Sequence, residues 1–126
     1  PWLPRDAALP KQDVYYQVAA LFALHPQHAD SMRSLGATFR QFAGDSGSIE
    51  KRFVALLNAH REDLPAHLRH AVSLAKSKDA AINYDLLMKH LTHWDSETRW
   101  VQREMAADFW AGGTQRTTSE PTQEEN

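Results

Sequence analysis

The chain has 126 residues, 42% of them hydrophobic, with 14 Lys and Arg against 16 Asp and Glu, a net charge of −2 and no cysteine. That is the length of about one domain, enough to bury roughly two-thirds of the surface its unfolded chain exposes. The composition excludes disulfides, zinc–thiolate sites and a cysteine nucleophile, offers no run of about 18 apolar residues for a membrane span, and begins with Pro1-Trp2-Leu3-Pro4-Arg5, which lacks the pattern of a signal peptide.

Residues 1–10 hold three prolines, so residues 1–12 read as an irregular lead-in. From Asp13 the pattern turns helical. Val14, Val18, Leu21 and Phe22 recur at the spacing of one buried face, and His25-Pro26 ends the helix, because the residue before proline is pushed out of the α region. A second helix is expected from Asp30 or Ser31, either of which can cap it, with Met32, Leu35, Phe39 and Phe42 inward. Gly44-Asp45-Ser46-Gly47 reads as a loop and Ser48 as the next cap, before the stripe Ile49, Phe53, Leu56, Leu57. Asp63 and Pro65 sit where a cap and a first-turn proline belong, ahead of Leu64, Leu68, Ala71, Val72 and Ala75.

Asn83 is placed to cap a fifth helix with Tyr84, Leu87, Met88 and Leu91 inward, and Asp95-Ser96 to open a sixth running to about Trp110. Gly112-Gly113 is expected to end it, leaving residues 112–126 as a polar, acidic, disordered tail. No segment alternates with period two and no repeat recurs. The expected fold is therefore all-α, a bundle of about six helices without strands over 13–111, divided into an N-terminal part (13–44) and a C-terminal bundle (48–111).

Catalytic signatures are missing. The five glycines form no phosphate-binding loop, and there is no nucleophile elbow and no two-histidine metalloprotease motif. His67 and His70 are spaced i, i+3, as are His90 and His93, which is chelating geometry on a helix. No carboxylate accompanies them at the spacing of a helical carboxylate–histidine site, so surface and cap roles are the expectation, with no metal, no cofactor and no catalytic residue. Asp85 and Asp95 stand alone in the sequence and read as capping or solvating acids.

The basic residues are more informative than the net charge. Without Arg116, Glu120, Glu124 and Glu125, residues 1–113 hold thirteen charges of each sign, so any charged face must arise by segregation. Arg33, Ala37 and Arg40 share one helical face; Arg52 lies with Ala55 and Ala59, beside Lys51; Arg69, Ser73 and Lys76 lie opposite Leu64, Leu68 and Val72. Arg99 and Arg103 are one turn apart, with Trp110 further along, and Arg61 lies in a link. A guanidinium fork suits phosphate oxygens, but ordinary solvated helix faces explain the spacing equally well. Trp94, Trp100, Phe109 and Trp110 read first as core or interface and second as a base-stacking platform.

The run Ser48-Ile49-Glu50-Lys51-Arg52-Phe53, then Leu56-Leu57, Arg61, Leu68-Arg69 and a leucine-rich helix closing on Trp94, resembles the CasB family, the small subunits of the type I-E CRISPR surveillance complex, Cascade. The segment from Val18 to His25 is similar to that family's earlier helix. Family members usually carry further helical sequence before the part matching Val14, so the N-terminal half-bundle is expected to be short of helices.

The resemblance implies a non-catalytic, cytoplasmic subunit of an antiviral complex. Two copies would stack head to tail, touching the large subunit and the backbone subunits and lining the path of the target DNA strands and the crRNA, with no membrane contact. Exchange of DNA pairs for RNA–DNA pairs in an R-loop is nearly balanced, so a few backbone contacts can decide it. The implied phosphate contacts are Arg52, Arg61, Arg69, Arg99 and Arg103, with Lys51, Arg33 and Arg40 beside them. A helical protein–protein adaptor without nucleic-acid contact is the alternative.

Overall fold

The computed structural model describes the backbone of residues 5–114 and the side chains of residues 13–111. Six helices follow one another: α1 (Arg5–Leu24), α2 (Leu35–Ala43), α3 (Gly47–Leu57), α4 (Leu64–Ser77), α5 (Tyr84–Thr92) and α6 (Trp100–Thr114). The described residues contain no strand, only an isolated bridge between His28 and Ile82. The all-α bundle expected from periodicity is the fold.

The apolar stripes locate the core. Val14, Val18 and Leu21 of α1, Phe53, Leu56 and Leu57 of α3, Leu64, Leu68, Val72 and Ala75 of α4, and Leu87 and Leu91 of α5 join Val101, Met105 and Phe109 of α6 in one cluster. It spans both expected subdivisions of the chain. Phe53 is the hub: it stacks on Phe109 with ring centroids 4.5 Å apart and also meets Phe39 and Trp110. Phe22 departs from the expected face. It is 44% exposed, touching Tyr84 edge-on, because α1 has core on one side only and the i+8 step from Val14 carries Phe22 past its edge.

Several boundaries differ from the sequence reading. α1 starts at Arg5, inside the expected lead-in, and includes Pro10, whose missing N–H forgoes one helical hydrogen bond. Neither Asp30 nor Ser31 caps α2. Ser34 does, its hydroxyl accepting from the Gly36 amide at 3.1 Å. Residues 27–32 are instead pinned to the stretch before α5: the Ile82 amide donates to the Gln27 carbonyl, the Ala29 amide to the Ile82 carbonyl, and the Asn83 amide group to the Met32 carbonyl. Ser46 rather than Ser48 caps α3, accepting from the Ile49 amide.

Asp63 precedes α4 without a side-chain cap bond, whereas Asn83 caps α5 as expected, accepting from Leu86 at 3.0 Å. α6 begins at Trp100, after turns that include Asp95 and Ser96, and continues through Gly112 and Gly113 to Thr114. Glycine costs a helix about 1 kcal/mol per residue but does not forbid it. Residues 1–4 of the lead-in and 115–126 of the tail lie outside the described residues.

The tightest approach is between α2 and α6. A Cβ on Gly36 would lie 2.0 Å from the Met105 carbonyl oxygen and 3.2 Å from the Phe109 amide nitrogen, so only glycine lets the two backbones meet. This contact places Arg33 and Arg40 beside α6.

Candidate nucleic-acid interface

The eight basic residues singled out from sequence do not form one patch. They fall around three grooves and the link before α6. The first groove, about 730 Å³, runs between α1 and the start of α4 and is lined by Arg61 and Arg69 with Asp13, Glu62, Tyr16 and Leu24 among the other residues. The second, about 430 Å³, lies between α3 and α4 and holds Arg52, His67 and His70. The third, about 400 Å³, lies between α2 and α6 and holds Arg33, Arg40 and Asp108 with Ala37, Ala107 and Ala111. Arg103 is one turn before Ala107 on α6, and Lys51 adjoins Arg52 on the exposed side of α3.

Three of the arginines are engaged within the fold. Arg99 stands in the left-handed region, φ 55°, and its guanidinium donates to the Leu57 carbonyl at 2.8 Å. That bond satisfies an orphan acceptor at the C-terminus of α3, where a cation is also favoured by the helix dipole. It is not part of an α6 face with Arg103. Arg61 donates to Asp95 at 2.9 Å, tying the α3–α4 link to the α5–α6 link and giving Asp95 a partner invisible in the sequence. Arg33 precedes α2 rather than lying on it and donates to Asp108 at 3.0 Å.

Asp108 also accepts from the Ser34 amide at 3.1 Å. Burial alone pushes its carboxyl up, but the hydrogen bonds from Ser34 and Arg33, and the charge of Arg33, outweigh it and hold the group below its ordinary value. Among the described residues, Arg40, Lys51, Arg52, Arg69 and Arg103 are exposed and make no ion pair. Of the eight, these five are left without an ion pair, and Lys76, Lys78 and Lys89 are likewise exposed and unpaired by any acid among the described residues.

The aromatic residues divide in the same way. Trp94 is buried and donates from its indole nitrogen to the Ala59 carbonyl at 3.0 Å. Phe109 stacks in the core, and Trp110 meets both Phe109 and Phe53 edge-on. Trp100 packs among His90 and His93, with the Lys89 ammonium 6.0 Å from its ring. None of the four forms an open stacking surface. Among the described residues the exposed aromatics are Tyr15 and Tyr16, 58% and 68% accessible, together with Phe22. The sequence reading passed over the tyrosines because they interrupt the Val14–Val18 stripe, and that interruption was the available signal.

The histidine pairs also separate. His90 is buried, its Nε2 2.9 Å from Glu104. Burial lowers its pKa, and Glu104 offsets this only in part. His93 is exposed. The ligand atoms of His28, Asp30 and Asp85 lie within 4.8 Å of one another, a cluster that the wide sequence separation concealed. Its histidine is committed elsewhere: Nδ1 accepts from the Tyr84 amide at 3.1 Å, which puts the proton on Nε2, 2.6 Å from Asp30. The group is a hydrogen-bonded clasp rather than a set of free lone pairs. Beside it, the buried Tyr84 hydroxyl donates to the His25 carbonyl at 2.6 Å, capping the end of α1, and burial raises its pKa to about 12.

Comparison with known proteins gives this arrangement a family. Residues 1–110 match the family model described as CRISPR-associated protein Cse2. Over 103 residues the chain is 35% identical to the CRISPR-associated protein Cse2 of Thermus thermophilus, covering 82% of this chain and 59% of that protein. The chain thus spans about three-fifths of that relative's length. The crystal structure of CasB from T. thermophilus superposes with a TM-score of 0.74 at 33% identity, covering 88% of this chain and 66% of the other. That of M. ruber CasB gives 0.75 at 31% identity, covering 88% and 70%. The family resemblance read over Ser48 to Trp110 is therefore the relationship found along nearly the whole chain. A helical bundle with this core, matching the family's model from end to end of its described helices but for the last turn of α6, belongs to the Cse2 family of CRISPR-associated proteins.

Proposed function

We propose that the chain serves as the non-catalytic small subunit of a type I-E Cascade in the cytoplasm, holding nucleic-acid backbone and neighbouring subunits so that a crRNA-guided R-loop stays open for antiviral defence. Membership of the Cse2 family carries this reading. The fold adds support: a body of balanced charge keeps Arg40, Lys51, Arg52, Arg69 and Arg103 exposed and without ion pairs. Cations so placed can each displace a counterion from a phosphate without reading sequence. Arg33, Arg61 and Arg99 hold the fold through one bond each and keep further guanidinium N–H groups for a phosphate.

The test is a salt titration of oligonucleotide binding. Replacing Arg52, Arg69 and Arg103 together by Ala should lower the slope of log affinity against log salt by about 2 to 3, at roughly 0.7 to 0.9 per phosphate contact. An unchanged slope in a folded triple variant sinks the assignment. Co-purification of the chain with a guide RNA tests complex membership separately.

One observation favours the second reading, an adaptor contacting protein alone. Tyr15, Tyr16 and Phe22 expose aromatic surface along α1, the composition of a subunit contact. The large subunit, the backbone subunits or a second copy of the chain would be the partners. That reading expects no oligonucleotide retention even at low salt.

A further inference from the structure

The groove between α3 and α4 combines an arginine with two histidines. Into it project Arg52 from α3 and, one turn apart on α4, the half-buried His67 and the exposed His70. The remaining lining, Phe39 from α2 among it, is apolar, and no carboxylate lines the groove. Neither imidazole has a hydrogen-bond or ion partner among the described residues.

The charged groups nearby lie elsewhere. Asp63 is one turn before His67 at the start of α4, Lys51 is on the outer side of α3, and Arg69, with Asp13, Glu62 and Arg61, faces the groove on the α1 side. Two histidines at i, i+3 could chelate a cation. Here a permanently charged guanidinium shares the cleft and no carboxylate completes a ligand set, so the arrangement favours an anion.

We infer that Arg52, His67 and His70 form a phosphodiester site whose affinity rises as the imidazoles gain protons. The inference rests on the proposed nucleic-acid contact and deepens it: Arg52 supplies the fixed charge and fork, and the two imidazoles add donors and charge in mildly acidic solution. By linkage, a phosphate that binds the protonated form better takes up protons on binding. If contact raised each imidazole's affinity for its proton tenfold, binding would tighten by at most about tenfold per histidine between slightly alkaline and slightly acidic pH.

The experiment uses the full chain, a fluorescein-labelled oligothymidylate and EDTA throughout, with affinity measured by anisotropy at about pH 8 and about pH 6. Wild type should tighten by roughly threefold to tenfold beyond the His67→Gln/His70→Gln variant, which should keep its salt dependence at the higher pH. Neither side chain makes an internal hydrogen bond or ion pair among the described residues, so the variant is expected to fold, which circular dichroism checks.

A variant that retains the wild-type pH response overturns the site and leaves the proposed function standing. Absence of binding by wild type at both pH values overturns the proposed function and this site with it. The imidazole proton resonances supply the remaining arm. Resonances of His67 and His70 that move with inorganic phosphate but not with the oligonucleotide overturn the nucleic-acid source in favour of free phosphate. Binding that appears only when zinc replaces EDTA overturns the anion site in favour of a metal.

Discussion

Gly36→Ala is the sharpest perturbation of the scaffold that carries the basic residues. The added methyl would sit 2.0 Å from the Met105 carbonyl oxygen and 3.0 Å from its carbon, atoms of the α6 backbone that cannot swing aside as a side chain could. Separating α2 from α6 would loosen Leu35, Phe39, Met105 and Phe109 together. Overpacking of this kind costs about 3 kcal/mol or more, and alanine's better helix propensity returns about 1 kcal/mol.

The net loss should be about 2 kcal/mol, lowering Tm by roughly 8 °C in a chain of this length. Urea unfolding followed by circular dichroism should show a lower midpoint with an unchanged slope. Gly47→Ala is the control: its added methyl meets nothing within 4 Å, so stability should hold or rise by about 0.5 kcal/mol. A Gly36→Ala variant as stable as wild type would refute the close approach of α2 and α6.

Other consequences follow from the core and its buried ionisable groups. Phe53→Ala empties the hub of the aromatic cluster, fully buried at 0% exposure, and should cost about 3 to 5 kcal/mol in the same unfolding assay. Asp108 titrates below its ordinary value near 3.8, so its contribution is complete above that pH and is lost as pH falls through the depressed folded value. Asp108→Asn should cost about 2 kcal/mol at neutral pH and flatten stability below about pH 4, where a wild-type acid limb of unchanged steepness in the variant would contradict the role. His90 has its pKa lowered from 6.5, so the unfolded chain binds the proton first. Stability should therefore fall as pH drops below about 6.5, and His90→Phe should remove that part of the pH profile.

Much of the fold was legible because helical periodicity is local. Val14, Val18, Leu21, Leu68, Val72, Leu87 and Leu91 announce buried faces within a few turns of chain, and each is buried. Asn83 could be read as a cap for the same reason, the Leu86 amide that donates to it lying three residues away. Family resemblance, carried by the order of motifs from Ser48 to Trp110, was equally a property of the sequence.

What the sequence could not determine is which basic residues remain available. Arg33 is drawn to Asp108 across 75 positions, Arg99 to Leu57 across 42 and Arg61 to Asp95 across 34, and no helical spacing encodes such pairs. Nor could periodicity show that Arg52 shares a groove with His67 and His70, since that depends on how α3 packs against α4. Spacing along the chain fixes which residues share one helix face. Only the packing of helix against helix decides which faces meet and which charges are left outside.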